Sequence, residues 1–504
     1  MKRWVSMFAV MVGCVSLVWA AKTTGVNTSH GNTNWNEAVW TNGFPEAGDV
    51  VIISGSARVV LTNSTPLLAR FVVTNSAALI LSGWDTALNA EEVIVHATIT
   101  HTNNSDTVGT PGVYEDWTPD ARILIVCSNL IVLPAGRINA NDMGYSGGVP
   151  GSPYTNGCGP GGGFGSASAC SGAGYGSEGM GAIGTFGRVY GSVMAPEDPG
   201  SGGGARPWYP ATPGAPGGGA IRIIATGSVR IDGRVTADAT IFYGGGRHAG
   251  AGSGGSIFIT CRTFHGTGTV SAVAVDYEQA GSAGAGGGRI AVHYDKEAQA
   301  AVWPQPTVQF SARPSRPVRT MRGSGTLWLS DHRFFPYPEL TGGYEFHIPG
   351  LTNWAPDRLL VNNAKILWAS NCVLSKVTNV LALSGSEAML VISNDLTAGH
   401  LYVTNRARLY IYSDPTNSPG PDYGRLISVQ GTLLVGSNSF LYPHSDPTNG
   451  GSILFRVGDL TVESNGWIFA FARGFEGGYS TSYPGFGPGG GKLIGDGQSG
   501  GPNL

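Results

Sequence analysis

The sequence has little charge: Asp, Glu, Lys and Arg make up 12% of its 504 residues, and the net charge is −3. A nearly neutral chain has no general attraction for nucleic acid or for an anionic membrane. Cysteine is also scarce, with six residues and no CxxC pair, which argues against a zinc site. Helical periodicity is almost missing, which argues against a helical fold. Glycine, with 79 residues, is abundant instead.

Short apolar strands recur along the chain, with a polar corner between the two strands of each copy. The clearest copy is LYVTNRARLYIYSD, from Leu401 to Asp414. Related segments begin at Val51, Phe71, Val93, Leu130, Val229, Val380, Leu433 and Leu460. Where no insertion intervenes, the starts lie 20 to 22 residues apart, and a period of this size indicates a solenoid. The alternation of apolar and polar residues within each copy indicates strands rather than helices.

One such copy is too small to bury its own apolar face, so the copies must stack on one another. We therefore expect an all-β protein, a right-handed parallel β-helix (β-solenoid) with three sheets and long glycine-rich loop insertions. Roughly 14 coils stacked ~4.8 Å apart would give a rod on the order of 60–70 Å long.

Composition divides the chain into successive segments. They are a signal peptide at 1–20, an N-terminal lead and cap at 21–50, a first β-helix stretch at 51–303 with a glycine-rich insertion at 144–219, an insertion rich in Pro, Arg and aromatics at 304–358, and a second β-helix stretch at 359–504. The second stretch ends in a glycine-rich tail. That tail either caps the last coil or indicates a fragment of a longer protein, and we favour the fragment.

The first 20 residues have the pattern of an export signal. Met1-Lys2-Arg3 is the positive region, Trp4 to Trp19 is apolar, and Ala20 belongs to a small-residue cleavage site. A membrane anchor and a lipoprotein signal at Cys14 are the alternatives. No later segment is long and apolar enough to cross a bilayer. We expect a secreted or cell-surface protein, with the periplasm as the alternative location.

Residues 144–219 are rich in Gly, Pro, Ser and Ala and contain no run typical of a strand. Such a composition cannot fold alone, so we expect either disorder or a loop lying over the coils. Its aromatic residues are predicted either to pin the loop or to serve as stacking platforms for sugar rings. The candidate platforms are Tyr145, Tyr154, Tyr175, Trp208 and Tyr209. In an oxidising compartment, Cys158 and Cys170 are predicted to close a small disulfide loop.

Three smaller features have structural interpretations. Cys127, Cys261 and Cys372 lie in apolar strand contexts and are predicted to be buried. Asp295 is a helix-cap candidate before the one good helical signal, residues 295–301. The motif SDPTN occurs at both Asp414 and Asp446 and predicts a repeated turn, with calcium ligation as the alternative.

Two patterns carry a resemblance to a known group. The opening from Trp35 to Ile53 has the form W-x4-W-x2-G-x-P-x2-GD-x-V-x-I, and a glycine cluster runs into an apolar strand near residues 217, 254, 284 and 323. Both patterns resemble glycine-rich secreted bacterial parallel β-helix proteins, of pectin-lyase-like or autotransporter-passenger-like architecture. The resemblance implies the fold. Since the end of a solenoid exposes apolar core and an unpaired strand edge, Trp35 and Trp40 are predicted to cover it. The group has no single activity to transfer.

Enzymes on this architecture suggest motifs to search for. The chain has no Asp-Asp pair of the kind that hydrolases place on a sugar bond. Trp328 to His332 resembles the pectate lyase WIDH motif but is one residue too long, and we interpret the match as coincidence. The densest positive run, Arg313, Arg316, Arg319 and Arg322, is either a solvated face or an anionic-glycan contact.

These observations favour an exported, non-catalytic surface, matrix or adhesin-like protein that presents loops on a rigid stalk. No catalytic, metal or cofactor site is predicted. The alternative is a polysaccharide lyase, a glycoside hydrolase or a glycan-binding module, with extracellular polysaccharide or a cell-surface component as the partner. The two would be distinguished by a groove in which carboxylates and basic residues converge from consecutive coils.

Overall fold

The computed structural model describes residues 22–28, 31–110, 112–151, 155–166, 170–180, 187–206, 211–240, 249–274, 284–315, 324–331, 339–340, 343–347, 354–368, 372–416 and 423–475. The predicted signal peptide and the glycine-rich tail after residue 475 lie outside these residues. Within them the protein is all-β apart from one short helix, and neighbouring strands run parallel in three sheets. This architecture is compatible with a β-solenoid.

The strands are numbered along the chain. The large sheet contains β1 (Thr23–Val26), β3 (Val50–Ile53), β5 (Leu68–Val73), β7 (Ala87–Val95), β9 (Ile123–Val132), β11 (Ala220–Ala225), β12 (Ser228–Ile231), β14 (Ser256–Thr260), β15 (Thr263–His265), β17 (Arg289–His293), β19 (Thr326–Leu329), β21 (Gly343–His347), β23 (Lys365–Trp368), β25 (Met389–Ile392), β27 (Arg408–Tyr412), β29 (Phe440–His444) and β31 (Trp467–Ile468).

The two smaller sheets divide the chain between them. The second sheet contains β2 (Asn32–Asn34), β4 (Arg58–Leu61), β6 (Ala78–Leu81), β8 (Thr98–His101), β10 (Arg137–Asn139), β13 (Arg234–Thr236), β16 (Thr269–Ser271) and β18 (Gln309–Ser311). The third contains β20 (Glu339–Leu340), β22 (Arg358–Asn362), β24 (Lys376–Ser384), β26 (Leu396–Thr404), β28 (Arg425–Val435) and β30 (Ile453–Val462). The chain therefore leaves the large sheet and returns to it once per repeat.

The register stacks like positions on one another, and this produces the core. One column of buried residues passes from strand to strand through Val51, Phe71, Val93, Leu130, Val229 and Phe264. Residues on either side of such a column point to the opposite face, since side chains alternate along a strand. The apolar alternation seen in the sequence is therefore an inward-facing ladder. Burying it supplies the main driving force for folding.

In several repeats the polar corner is a tight turn that contains a residue in the left-handed region. Asn75 (φ 60°) and Asn405 (φ 54°) occupy it in two copies, because asparagine tolerates this conformation better than most side chains. The turn closes through a hydrogen bond from the Ala77 amide to the Thr74 carbonyl, 3.2 Å. The alanine after the corner is fully buried in both copies, which explains why a small residue recurs there.

The predicted helix is present as α1, Lys296–Ala300. The Asp295 carboxylate accepts hydrogen bonds from the amides of Glu297 (2.9 Å) and Ala298 (3.0 Å), as expected for an N-cap. No helix among the described residues is both long and apolar enough to cross a membrane.

Two predicted segments differ from expectation in detail. Residues 21–50 contribute β1 and β2 to the sheets, and Trp35 and Trp40 lie buried in the main core with ring centroids 4.7 Å apart. The segment 304–358, predicted as an insertion, contains β18 to β21, which continue the ladders. Its proline and arginine content concealed short strands whose inward residues, such as Phe310 and Leu327, are buried.

The described residues of the glycine-rich insertion form no strand of these sheets, yet they are closely packed over the coils. Backbone segments bond directly to one another: the Gly144 amide donates to the Gly217 carbonyl (2.8 Å) and the Gly200 amide to the Gly218 carbonyl (2.7 Å). A Cβ added at Gly214 would lie 1.8 Å from a carbonyl oxygen of a neighbouring segment. Only glycine permits such an approach, so the composition encodes packing rather than disorder.

Glycines also stack at the entrance of the large sheet. A Cβ at Gly255 would lie 2.0 Å from the Gly219 carbonyl oxygen, and one at Gly288 would lie 2.1 Å from that of Gly255. Similarly, a Cβ at Gly325 would lie 2.1 Å from the Gly288 carbonyl oxygen. The glycine clusters that precede the strands are therefore required because successive backbones touch.

Candidate functional site

The glycine-rich insertion is attached to the outer face of the large sheet by charged and polar contacts. Glu197 of the insertion lies between two arginines of that face, 3.7 Å from Arg122 and 3.6 Å from Arg222. His293 of β17 contacts the Met194 carbonyl oxygen at 2.7 Å. These contacts place one stretch of the insertion, residues 187–200, across strands that are separated by long segments of sequence.

Arg289 is the central link between sheet and insertion. Its side chain is buried, and its guanidinium donates to the Tyr190 carbonyl at 2.8 Å and to the Tyr175 carbonyl at 3.4 Å. It also donates to the Thr326 hydroxyl of β19, 3.3 Å away. Burial lowers the pKa of Arg289, while the nearby Asp198 carboxylate opposes that shift. Arg289 thus ties two strands and two insertion segments together.

The predicted stacking platforms have a different role in the structure. Tyr145 and Tyr175 are buried, with 2% and 0% of their surface exposed, so neither ring offers a face to a sugar. Tyr145 packs against Trp117 (5.5 Å between centroids) and Tyr175 against Tyr190 (4.6 Å). The stacking hypothesis is wrong for these two, which pin the insertion instead. Tyr154, Trp208 and Tyr209 lie outside the described residues.

The predicted disulfide is not formed. Cys158 and Cys170 are free and buried, and burial raises the pKa of the Cys158 thiol to about 11. Cys158 packs with Trp117 and Tyr145, whereas the Cys170 thiol donates to the Ala205 carbonyl at 3.3 Å. Sequence proximity suggested a bridge, but the two side chains have separate surroundings. Cys127, Cys261 and Cys372 are buried, as predicted.

The arginine run after residue 312 is only partly described. Arg313 is exposed, and its backbone carbonyl accepts from the Ala274 amide at 2.9 Å. Arg316, Arg319 and Arg322 lie outside the described residues. The anionic-glycan contact predicted there stays a prediction.

The repeated SDPTN motif forms a turn through its own residues at its second copy. The Asp446 carboxylate accepts from the Thr448 and Asn449 amides, and these bonds lower its pKa. Asp414 forms an ion pair with Arg425. Both carboxylates therefore have structural partners.

Among the described residues, two concave surfaces are candidate sites, and the first lies at the edge of the insertion. This insertion cleft, of about 410 Å3, is lined by Gly176, Ser177, Glu178, Val189, Val193, Arg289, Ser324, Thr326, Glu345, His347 and Leu367. Its floor is the outer face of four successive strands, β17, β19, β21 and β23, because Arg289 pairs with Thr326, Thr326 with Glu345 and Glu345 with Leu367. The insertion supplies its walls.

The floor of the insertion cleft carries titratable groups. His347 Nε2 lies 3.3 Å from Glu345 Oε1. The two residues are two positions apart on β21, so both side chains lie on its outer face. Glu178 enters from the insertion and is exposed. A carboxylate beside an imidazole is a pair of group types that general acid–base chemistry uses, so this cleft is the candidate site for such chemistry.

The second surface is a groove on the outer face of the second sheet. This arginine groove, of about 310 Å3, is lined by Arg137, Asn139, Asn141, Arg234, Thr236, Asp238, Thr269 and Ser271. It crosses the neighbouring strands β10, β13 and β16. Burial raises the pKa of Asp238, and the hydrogen bonds that its carboxylate accepts oppose the shift.

Sequence reasoning did not find either surface. Arg137 and Arg234 are adjacent in space but 97 residues apart in the chain, because the glycine-rich insertion separates them. The available signal was the shared pattern of residues 137–140 (RINA) and 234–237 (RVTA), which aligns once the insertion is removed.

Comparison of the chain with protein-family models, with curated proteins and with solved structures finds no match.

Proposed function

We propose that the parallel sheets wind as a right-handed β-helix and that the chain is an exported, non-catalytic surface or matrix protein of adhesin-like type. The observation that carries the proposal is the unbroken parallel ladder from β1 to β31, which spans fifteen strands. At ~4.8 Å per strand the rod is on the order of 65–70 Å long. Each layer is bonded to the next, so the rod holds its insertions in fixed positions.

The pattern at residues 1–20 supports export, and the attached glycine-rich insertion is the feature that the rod would present. Secretion or display at the cell surface is the proposed location. Fractionation of producing cells with an antibody against the purified chain tests it: the chain should be found outside the inner membrane. Recovery of uncleaved chain in the cytosol would contradict export.

A second candidate function, an enzyme acting on extracellular polysaccharide, is favoured by the insertion cleft. Glu345, His347 and Glu178 bring two carboxylates and an imidazole to one concave surface on the large sheet. Acid–base cleavage of a sugar chain needs groups of these types.

One experiment separates the two candidates. The purified chain is incubated with neutral, uronate-rich and sulfated polysaccharides, and newly formed chain ends are counted. The non-catalytic proposal expects none. Release of ends that Glu345→Gln abolishes, and that Glu92→Gln (a strand glutamate of the same sheet outside the cleft) leaves intact, would establish the enzyme instead.

A further inference from the structure

The arginine groove brings two arginine side chains together on the outer face of the second sheet. Arg137 and Arg234 are partners on the neighbouring strands β10 and β13, and both side chains are exposed. Within the described part of the chain, neither guanidinium takes part in an ion pair. Arg58, earlier in the same column, donates a hydrogen bond to Asn32 at 2.9 Å. Adjacent strands lie ~4.8 Å apart, so one anion can reach both arginines.

The amides of the groove are oriented as donors. Asn139 Oδ1 accepts from the Asn141 amide (2.9 Å) and from the Thr236 hydroxyl (3.4 Å). Asn141 Oδ1 accepts from the Asp238 amide at 2.9 Å. A backbone N–H can only donate, so the atom facing it must be the side-chain oxygen. Each asparagine therefore keeps its NH2 group for a ligand.

The single carboxylate of the groove is already engaged by the protein. Asp238 Oδ2 accepts from the Ser271 hydroxyl and Oδ1 from the Val273 amide, each at 2.8 Å. The groove thus offers two guanidiniums and two amide NH2 groups, while its carboxylate oxygens are occupied. Such a surface is complementary to a ligand that is rich in acceptors and negatively charged.

We propose that the arginine groove binds an acidic polysaccharide through the carboxylate or sulfate groups of its sugars. A linear chain would follow the column Thr98, Arg137, Arg234, Thr269 and Gln309, which runs across the strands of the second sheet. Arginine forks bind carboxylate and sulfate oxygens bidentately, and the amides and hydroxyls beside them match sugar oxygens. This site lies apart from the insertion cleft.

The proposal deepens the proposed function, since an exported rod meets such polymers, but its test does not depend on export. Binding of the purified full chain to immobilised polygalacturonate, a sulfated galactan, a neutral glucan and inorganic polyphosphate is measured at low and at physiological salt. We expect binding to the carboxylated polymer, the sulfated polymer or both, weakening as salt rises. The polymer that binds more tightly identifies the acidic group.

The variants Arg137→Gln and Arg234→Gln should each weaken binding about tenfold, and the double variant about a hundredfold, since each removes one charge-assisted contact. Arg58→Gln, in the same column outside the groove, is the matched control and should bind like the parent. Unchanged binding by the double variant, equal binding of the neutral glucan or of polyphosphate, or no binding of either acidic polymer would overturn the proposal. Circular dichroism confirms that each variant is folded.

Discussion

A methyl group added at Gly217 tests whether the glycine-rich insertion is packed backbone against backbone. A Cβ there would lie 2.2 Å from the carbonyl oxygen of Gly200 and 2.8 Å from that of Ser201. Ordinary contact begins near 3.4 Å, so the two segments must separate by about 1 Å in a tightly packed region. Overpacking of this kind costs roughly 1–3 kcal/mol, and a lost backbone hydrogen bond adds about 1 kcal/mol.

We therefore expect Gly217→Ala to destabilise the insertion by about 2–4 kcal/mol. Local opening should rise about 30-fold or more, because 1.4 kcal/mol corresponds to a factor of ten. Amide hydrogen exchange of peptides from residues 198–206 and 211–219 measures this opening directly. Gly474→Ala is the control, because no atom lies within 4 Å of its added Cβ. If these peptides exchange as slowly in Gly217→Ala as in the parent, the two segments are not packed backbone against backbone.

Three further predictions concern the buried His101, the Arg289 link between sheet and insertion, and the thiols of Cys158 and Cys170. Burial lowers the pKa of His101 to about 4, so the unfolded chain binds a proton at this residue before the folded chain does as the pH falls. Stability should therefore fall by up to about 3 kcal/mol from pH 6.5 to pH 4. In His101→Gln the urea midpoint should depend less on pH across that range, and an unchanged pH dependence would contradict this. Arg289→Met removes the guanidinium that bonds the Tyr190 and Tyr175 carbonyls and should speed proteolysis of the insertion while strand circular dichroism persists. Parental resistance would refute its linking role. Peptide mapping of unreduced, denatured protein should find Cys158 and Cys170 as free thiols, and a bridged peptide would show that they pair.

Much of the fold follows from local sequence rules. The repeat period, the inward alternation and the Asn corner at Asn405 each depend on residues close together in the chain. The helix cap at Asp295 is similarly local. Such features are predictable because side-chain alternation and turn conformation depend on nearest neighbours.

The sites depend on contacts that no local rule contains. The arginine groove needs the register between β10 and β13, which the insertion conceals. The aromatic residues of the insertion were ambiguous for another reason: the same tyrosine can stack on a sugar or fill a core, and only the burial of Tyr145 and Tyr175 decides. Glycine-rich composition normally predicts disorder, and here it permits close backbone packing.

The described residues of the glycine-rich insertion form the walls of the insertion cleft, and the insertion joins the strands that make the arginine groove, so the order of these residues is tested first. Hydrogen exchange of the parent chain measures it most directly. We expect amides such as those of Gly174, Gly200 and Gly217, all donors to backbone carbonyls, to exchange as slowly as those of β9. Exchange of these amides at the rate of an unstructured peptide would contradict it.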